Sequence, residues 1–280
     1  MKGMSVSTSE KVMDVATAAT KKLPQITFVY WIIKVAVTTL GETGGDMFAQ
    51  TLNIGYEVTS IALIAFFFVT LVVQMKSKSY HPMFYWAVIL STSMAGTTIS
   101  DFMNRTLGLG YPMGVAILTS LLAGIFVVWH FSGHHFDISK INSFGGEMIF
   151  WSAILVSNTL GTSLGDFLSD SSGLGYAGGA ALIAGALGLI VIAYYSKKVS
   201  HTFLFWAAFV LTRPLGATVG DFFSKPVEKG GLGLGTYGTS AVLLLIMIAG
   251  ILYQNRQLKK DRIQTELAEP SAELAYASAE

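Results

Sequence analysis

The sequence predicts an all-α membrane protein with eight transmembrane helices, built from four parallel repeats of two helices each. Only 12% of its 280 residues are charged and 52% are hydrophobic, whereas soluble domains carry about 25% charged residues. Apolar stretches long enough to cross a bilayer, which takes ~20 residues, recur along the chain. A pattern of aromatic residues, glycine and aspartate occurs four times. The chain contains no cysteine, which excludes disulfides and thiolate metal sites.

Eight segments are predicted to span the membrane, four of them apolar throughout and four becoming polar and glycine-rich towards their ends. In chain order the eight segments are residues 26–50, 58–75, 83–104, 112–129, 148–169, 177–195, 202–224 and 237–253. We expect residues 23–254 to form the membrane domain, with repeats at about 23–78, 79–140, 141–198 and 199–254. Residues 1–22 are polar and lack the apolar stretch of a signal peptide. Residues 255–280 are predicted to form a tail that begins as a short helical extension and ends in disorder.

The distribution of lysine and arginine predicts the orientation of the chain, because cytoplasmic loops carry an excess of these residues. Thirteen of the 18 lie in the two tails and in the loops after the second, fourth and sixth spans. Three lie in the opposite loops, namely Arg105, Lys225 and Lys229. Both the N-terminal segment and the tail are therefore predicted to be cytoplasmic.

Four internal repeats share one pattern. In each repeat a tryptophan follows an aromatic residue and precedes a glycine by ten residues, a hydroxyl residue by twelve and an aspartate by fifteen. These positions hold Trp31, Trp86, Trp151 and Trp206; Gly41, Gly96, Gly161 and Gly216; Thr43, Thr98, Ser163 and Thr218; and Asp46, Asp101, Asp166 and Asp221. A Gly-Tyr or Gly-Thr-Tyr sequence closes each repeat, after six extra residues in the fourth. Because each repeat contains two helices, we expect successive repeats to be related by axes near the membrane normal.

This pattern resembles a bacterial integral-membrane family of uncharacterised function, whose members contain four tandem two-helix repeats with a marked tryptophan and a Gly/Ser-Asp motif. The resemblance covers about residues 23–254 and leaves both tails outside. It implies the fold and a multi-pass location in the bacterial cytoplasmic (inner) membrane. It implies no activity and no functional residues.

The four repeated aspartates are the first candidate site. They are predicted to lie at one depth in the outer third of the membrane, where an ionised carboxylate is costly unless it is paired or faces water. Equivalent positions of symmetric repeats converge, so we expect one polar centre in which the hydroxyls of Thr43, Thr98, Ser163 and Thr218 also bind a substrate or ion. In the alternative interpretation each aspartate caps a helix or is solvated in an outer loop. The tryptophans are interpreted as interfacial anchors or packing groups.

Three charged residues break the fourfold pattern. Glu42 lies four residues before Asp46 and therefore on the same helix face, so this pair is predicted to bind a proton or a metal ion. Arg213 and Lys34 are predicted counter-charges, with Arg213 near Asp221 or near an acid of a facing helix. For Lys34, extension of the side chain towards the cytoplasmic face is the alternative.

No catalytic pattern or phosphate-binding loop is found, so we expect neither an enzyme nor a cofactor. His130, His134 and His135 could gather a metal, but their spacing fits no zinc signature, and a solvated loop is favoured. The expected partners are the lipid bilayer and a small ion or solute. Homo-oligomerisation stays open, and the low net charge of +1 argues against nucleic acid.

The leading functional hypothesis is a secondary transporter that exports a small hard cation, manganese or magnesium first, with proton coupling through the repeated carboxylates. A second hypothesis is a transporter or channel for a small organic solute or an anion, anchored by Arg213 and Lys34. A third is a membrane sensor or scaffold that transports nothing.

Overall fold

The computed structural model describes residues 23–77, 79–137, 141, 143–196 and 198–277. Within these residues the regular structure is helical, as predicted, and contains eight long helices. They are α1 (Phe28–Asp46), α2 (Tyr56–Lys76), α3 (Pro82–Asp101), α4 (Tyr111–Phe131), α5 (Phe144–Asp166), α6 (Gly175–Ser196), α7 (His201–Ser224) and α8 (Gly235–Ala277). The predicted N-terminal segment, residues 1–22, and the last three residues of the tail lie outside the described residues.

Local sequence determines where these helices begin. The hydroxyl of Thr27 accepts a hydrogen bond from the backbone N–H of Tyr30 and caps α1. Ser143 caps α5 in the same way through the N–H of Gly146. The glycine that closes each repeat precedes or opens an outer helix with positive φ, for example 85° at Gly55. Side-chain-bearing residues rarely adopt this conformation, so the Gly-Tyr motif has a backbone reason.

The odd-numbered helices end differently in the fourth repeat. In the first three repeats the chain continues beyond the aspartate into a five-residue π-helical turn, at Met47–Thr51, Phe102–Thr106 and Phe167–Ser171. In the fourth repeat α7 continues to Ser224, and a short 3₁₀ helix follows at Val227–Lys229. The extra residues of this repeat therefore replace the π-helical turn with a longer connection.

Four helices form a closed inner ring. α1 packs against α3, α3 against α5, α5 against α7, and α7 against α1. Each even-numbered helix packs mainly on the inner helix of the following repeat: α2 on α3, α4 on α5 and α6 on α7. α8 packs on α1 and completes the cycle. The outer helices are thus displaced by one repeat around the ring.

The repeated glycines permit this close packing. A Cβ atom added to any of them would lie within 3.0 Å of the neighbouring inner helix. The contacts are Gly41 with Ser93, Gly96 with Asn158, Gly161 with Arg213, and Gly216 with Thr38. Each glycine thus meets the residue seven positions after the tryptophan of the next repeat. Because equivalent positions meet at every interface, the four inner helices run parallel at matching heights.

Within the part of the chain that the structure describes, six helical segments are long and apolar enough to cross a membrane, so this is a multi-pass membrane protein. The segments are Tyr56–Lys76, Tyr111–Phe131, Phe144–Ser171, Gly175–Ser196, His201–Ser224 and Gly235–Gln264. α1 and α3 are not among them. Both are inner helices whose polar residues are buried inside the protein, which lowers their apolarity without exposing those residues to lipid.

Three of the four repeat tryptophans are buried. Trp86 and Trp151 are almost completely inaccessible, Trp206 is buried, and Trp31 is half-buried. The Trp86 indole N–H donates to the side chain of Gln254, 2.8 Å away. These tryptophans therefore pack within the bundle and are not lipid-facing anchors.

Candidate functional site

Polar residues form stacked layers inside the inner ring. In each inner helix the residues three, seven, eleven and fifteen positions after the tryptophan are all buried. The four sets are Lys34, Thr38, Glu42 and Asp46; Ile89, Ser93, Thr97 and Asp101; Ile154, Asn158, Thr162 and Asp166; and Phe209, Arg213, Ala217 and Asp221. Steps of four residues keep these side chains on one face of each helix. Polar groups therefore follow the axis of the bundle over about three helical turns.

The four repeated aspartates form a layer that is at most 3% exposed. They lie in two bridged pairs. The Lys225 ammonium donates to Asp46 and lies 3.4 Å from the Asp221 carboxylate. The Arg105 guanidinium lies 3.0 Å from Asp101 and 3.7 Å from Asp166. The aspartates thus lie together inside the protein, each held by a cation from within the chain.

Lys225 and Arg105, which the sequence predicts in outer loops, follow the aspartates of their own repeats and contribute to the aspartate layer. Lys225 is 14% exposed and Arg105 is 37% exposed, and each reaches into the aspartate layer. Each lies four residues after the aspartate of its own repeat. This spacing places the two residues on one helix face, so the contact between each cation and its aspartate could have been predicted from the sequence.

The matching positions in the other two repeats differ. Gln50 in the first repeat donates to Asp46 over 2.5 Å and accepts from Lys225 over 3.5 Å. Asp170 in the third repeat is exposed. Burial opposes the charged form of Lys225, but the carboxylates of Asp221 and Asp46 outweigh this cost and raise the pKa of Lys225 above its ordinary value.

An ion pair between Glu42 and Arg213 lies below the aspartate layer. The Arg213 Nη2 atom is 2.9 Å from the Glu42 Oε2 atom, and both side chains are buried. Nη2 also donates to the hydroxyls of Thr97 and Thr162, at 2.5 and 2.7 Å. Both hydroxyls donate onward to Glu42 Oε2 at 3.2 Å. Nη1 donates to the carbonyl of Thr38 at 3.2 Å, so this network joins all four inner helices.

The structure therefore places Arg213 beside Glu42 on the neighbouring α1 rather than beside Asp221. The predicted pair of Glu42 and Asp46 gains a third member. One carboxylate oxygen from each of Glu42, Asp46 and Asp221 lies within 4.8 Å of the other two. Among the described residues this is the one group of three or more acidic or histidine side chains close enough to hold a metal ion. We call these three residues the carboxylate triad.

The hydroxyls predicted to support the aspartates have other partners. Thr98 and Thr218 donate to backbone carbonyls of their own helices. Thr43 accepts from Ser240 on α8 at 2.8 Å, and Ser163 bonds to Ser100 at 2.7 Å. Thr97 and Thr162, one position earlier in their repeats, instead carry the hydroxyls that reach a carboxylate. Neither of these threonines was predicted from the sequence to be a site residue.

Lys34 does not extend to the cytoplasmic face, because its side chain is completely buried. Its Nζ atom has no hydrogen-bond partner within the described part of the chain. It lies 4.0 Å from the centre of the Phe209 ring. Lys34 is therefore a buried amine that no carboxylate accompanies among the described residues.

The histidines form no metal-binding group within the described residues. His130 and His135 are exposed, while His134 shares a 3.3 Å hydrogen bond with Ser143. This arrangement agrees with the favoured interpretation of a solvated loop.

A comparison with protein families matches four tandem copies of one repeat to this chain. The matched residues are 29–80, 84–135, 149–200 and 204–259. No curated protein matches the chain, and neither does any solved structure. The four matches follow the four repeats recognised in the sequence, which confirms the resemblance to a four-repeat family. Since together they cover well over half of the chain, the protein belongs to the family described as Repeat of Unknown Function (DUF347).

Proposed function

We propose that this protein is a secondary transporter that exchanges a small hard divalent cation, manganese or magnesium first, for protons. The observation that carries this proposal is the carboxylate triad, whose buried oxygens lie within 4.8 Å of one another. Mg²⁺ and Mn²⁺ prefer carboxylate and other oxygen ligands. Three acids in one buried place are costly unless a cation or protons neutralise them.

Internal cations supply this neutralisation when no metal ion is bound. Lys225 holds Asp46 and Asp221, and Arg213 holds Glu42. Lys225 follows the last residue of α7 and is partly exposed, so its ammonium can leave the triad while the helices stay packed. A divalent cation would then take the place of the Lys225 ammonium. With Lys225 in place, the triad and its two cations carry a formal charge of −1, and with the divalent cation in its place the formal charge is zero.

We further propose that all eight long helices span the bacterial inner membrane, with residues 1–22 and the tail cytoplasmic. α1 and α3 lie parallel to α5 and α7 at matching heights, as the repeated glycine contacts indicate. Two of these four neighbours are apolar enough to cross a bilayer. A ring whose members share one depth requires all four to cross together.

The hypothesis of an anion carrier gains no support at Arg213. This guanidinium already donates to Glu42, to two threonine hydroxyls and to backbone carbonyls. An anion at the Nη atoms would have to displace the buried Glu42 carboxylate. The carboxylate triad therefore favours a cation as the substrate.

Transport can be measured with the purified protein in liposomes that contain an Mn²⁺-sensitive dye. We expect Asp46→Asn and Asp221→Asn each to reduce Mn²⁺ flux at least about tenfold, because each removes a ligand and a charge, a loss equivalent to about 1.4 kcal/mol. Asp170→Asn is the matched control, since it removes an exposed aspartate near the same end of the ring. Its flux should stay within about twofold of the wild type, which is about 0.4 kcal/mol.

Two outcomes would contradict the proposal. Mn²⁺ and Mg²⁺ fluxes equal to those of empty liposomes would reject transport of hard cations and favour the sensor or scaffold. Equal flux in wild type, Asp46→Asn and Asp221→Asn would remove the triad from the transport site. Ion-induced thermal stabilisation of the same variants in detergent provides a second measurement, because a ligand that binds the folded state raises its stability.

A further inference from the structure

The inner helix of the first repeat is the only one of the four with a polar residue at every layer. Its residues at steps of four are Tyr30, Lys34, Thr38, Glu42, Asp46 and Gln50. The corresponding stripes of the other three helices are interrupted by Ile89, Ile154 and Phe209 in the layer of Lys34. A continuous polar stripe on one helix suits passage of a small charged species along that helix. The proposed cation site occupies only its outer part.

The chemistry of Lys34 points to a proton. A buried ammonium without a hydrogen-bond acceptor is costly, since burial of a charge needs a partner. The Nζ atom of Lys34 has no such acceptor in the described residues, and only the face of Phe209 approaches it. The neutral amine is satisfied more easily here and carries a lone pair that can take up a proton. The Phe209 ring partly stabilises the charged form once that proton is bound.

The surroundings of Lys34 contain two tyrosine hydroxyls and the fixed positive charge of Arg213. The hydroxyls of Tyr30 and Tyr85 share a 2.9 Å hydrogen bond one helical turn before the layer of Lys34. The layer of Lys34 holds Ile89 on α3, Ile154 on α5 and Phe209 on α7, and the next charged groups along the axis are Arg213 on α7, one layer away, and Glu42 on α1, two layers away. The acid in this set, Glu42, is held by Arg213. Added positive charge on the axis therefore has no free carboxylate beside Lys34 to offset it.

We propose that Lys34 is the residue that carries the exchanged proton, and that this proton and the divalent cation exclude each other by charge. This inference rests on the proposed cation exchange. In one state the amine is protonated and the carboxylate triad holds Lys225. In the other state the triad holds the divalent cation and the Lys34 ammonium has released H⁺ as the neutral amine. Arg213 lies between the two sites and stays charged throughout.

Two substitutions at Lys34 should act in opposite directions. Lys34→Met removes the proton-binding amine from a layer that is apolar in the other repeats. Mn²⁺ flux should persist, but the proton flux that accompanies it, measured with a pH dye in the same liposomes, should fall at least about tenfold, which is about 1.4 kcal/mol. Lys34→Arg places a permanent charge on the axis, so Mn²⁺ should bind about tenfold more weakly, again about 1.4 kcal/mol. Lys76→Met is the control, because it removes an exposed lysine.

A measurement of stability tests proton binding without transport. The unfolded chain holds a proton on every lysine, so a buried neutral lysine makes stability rise with pH. In detergent with saturating Mn²⁺, the state in which Lys34 is neutral, the melting temperature should therefore increase between about pH 6 and about pH 9 more in the wild type and in Lys76→Met than in Lys34→Met.

The outcomes separate the two proposals. An unchanged ratio of protons to Mn²⁺ in Lys34→Met, with Mn²⁺ flux intact, would overturn the role of Lys34 and leave the cation transporter standing. Parallel melting curves against pH for wild type and Lys34→Met would likewise overturn it. Absence of Mn²⁺ and Mg²⁺ flux in the wild type would overturn both proposals.

Discussion

Two interfaces of the inner ring, α7 against α1 and α3 against α5, share one architecture and differ in charge. In each, a basic residue four positions after an aspartate bridges that aspartate to the next one around the ring, through Lys225 in the first interface and Arg105 in the second. Only the α7–α1 interface adds the second ion pair, Glu42 with Arg213. Close packing of the inner helices is therefore fourfold, whereas the charged residues of the proposed cation site are concentrated at one interface.

Breaking the ion pair between Arg213 and Glu42 should reduce the stability of the protein most. Arg213→Met leaves the buried Glu42 without its cation, and such a loss typically costs about 3–5 kcal/mol. Arg105→Met at the other interface removes a partly exposed cation and should cost less, because solvent screens its charge. Thermal unfolding in detergent measures both. Adding Glu42→Gln to Arg213→Met should restore part of the stability, because it removes the orphaned charge. Equal losses from Arg213→Met and Arg105→Met would remove the asymmetry between the interfaces.

Glycine substitutions test whether the two interfaces are packed equally closely. Gly216→Ala at the α7–α1 interface and Gly96→Ala at the α3–α5 interface each place a Cβ atom within 3.0 Å of backbone in the neighbouring helix. Each should destabilise the protein by about 1–3 kcal/mol, the usual cost of overpacking. Gly185→Ala on α6 is the control, because nothing lies within 4 Å of its added Cβ. The two interfaces should respond alike, and a neutral Gly96→Ala beside a damaging Gly216→Ala would show that the packing is also asymmetric.

The two bridging cations, Lys225 and Arg105, should differ least in the stability that is lost when each is removed. Lys225→Met should cost about 1–2 kcal/mol, since hydrogen bonds to charged groups are worth about 1.5–3 kcal/mol and Lys225 remains slightly exposed. Arg105→Met serves as its counterpart, with a smaller cost because solvent screens a more exposed group. Urea unfolding of detergent-solubilised protein would rank the two variants. A larger cost at Arg105 would reverse the comparison.

Much of the fold follows from composition and repetition. Apolar stretches and the recurring tryptophan and aspartate predict eight helices, and the structure contains eight within its described residues. The displacement of each outer helix onto the next repeat was not predictable, because hydropathy records which face is apolar and not which neighbour covers it. The helical extension predicted at the start of the tail is longer than expected, because α8 continues to Ala277.

The position of the acidic residues along the helices was predictable from the sequence, but the ion pairs that they form with neighbouring helices were not. The shared offset between tryptophan and aspartate places four acids in one layer, and the step of four residues places Glu42 below Asp46. The role of Thr43 and its equivalents as substrate or ion ligands stays a prediction, although their hydroxyls bond to other partners in the structure. Thr43 is rotated by about 100° from Glu42 on a helix of 3.6 residues per turn, which turns its hydroxyl away from the Glu42 carboxylate. The partner of Arg213 depends on the cyclic order of the helices, which no single repeat contains.

The displacement of the outer helices also has a consequence for the order in which the protein is made. α1 is the first inner helix to leave the ribosome, and its cover, α8, is the last of the long helices. Until α7 arrives, Glu42 has no Arg213, and Asp46 has no Lys225. The most polar of the inner helices therefore waits longest for its neutralising partners during biosynthesis. An insertase or chaperone that holds α1 in the interim would shield these acids from lipid until the ring closes.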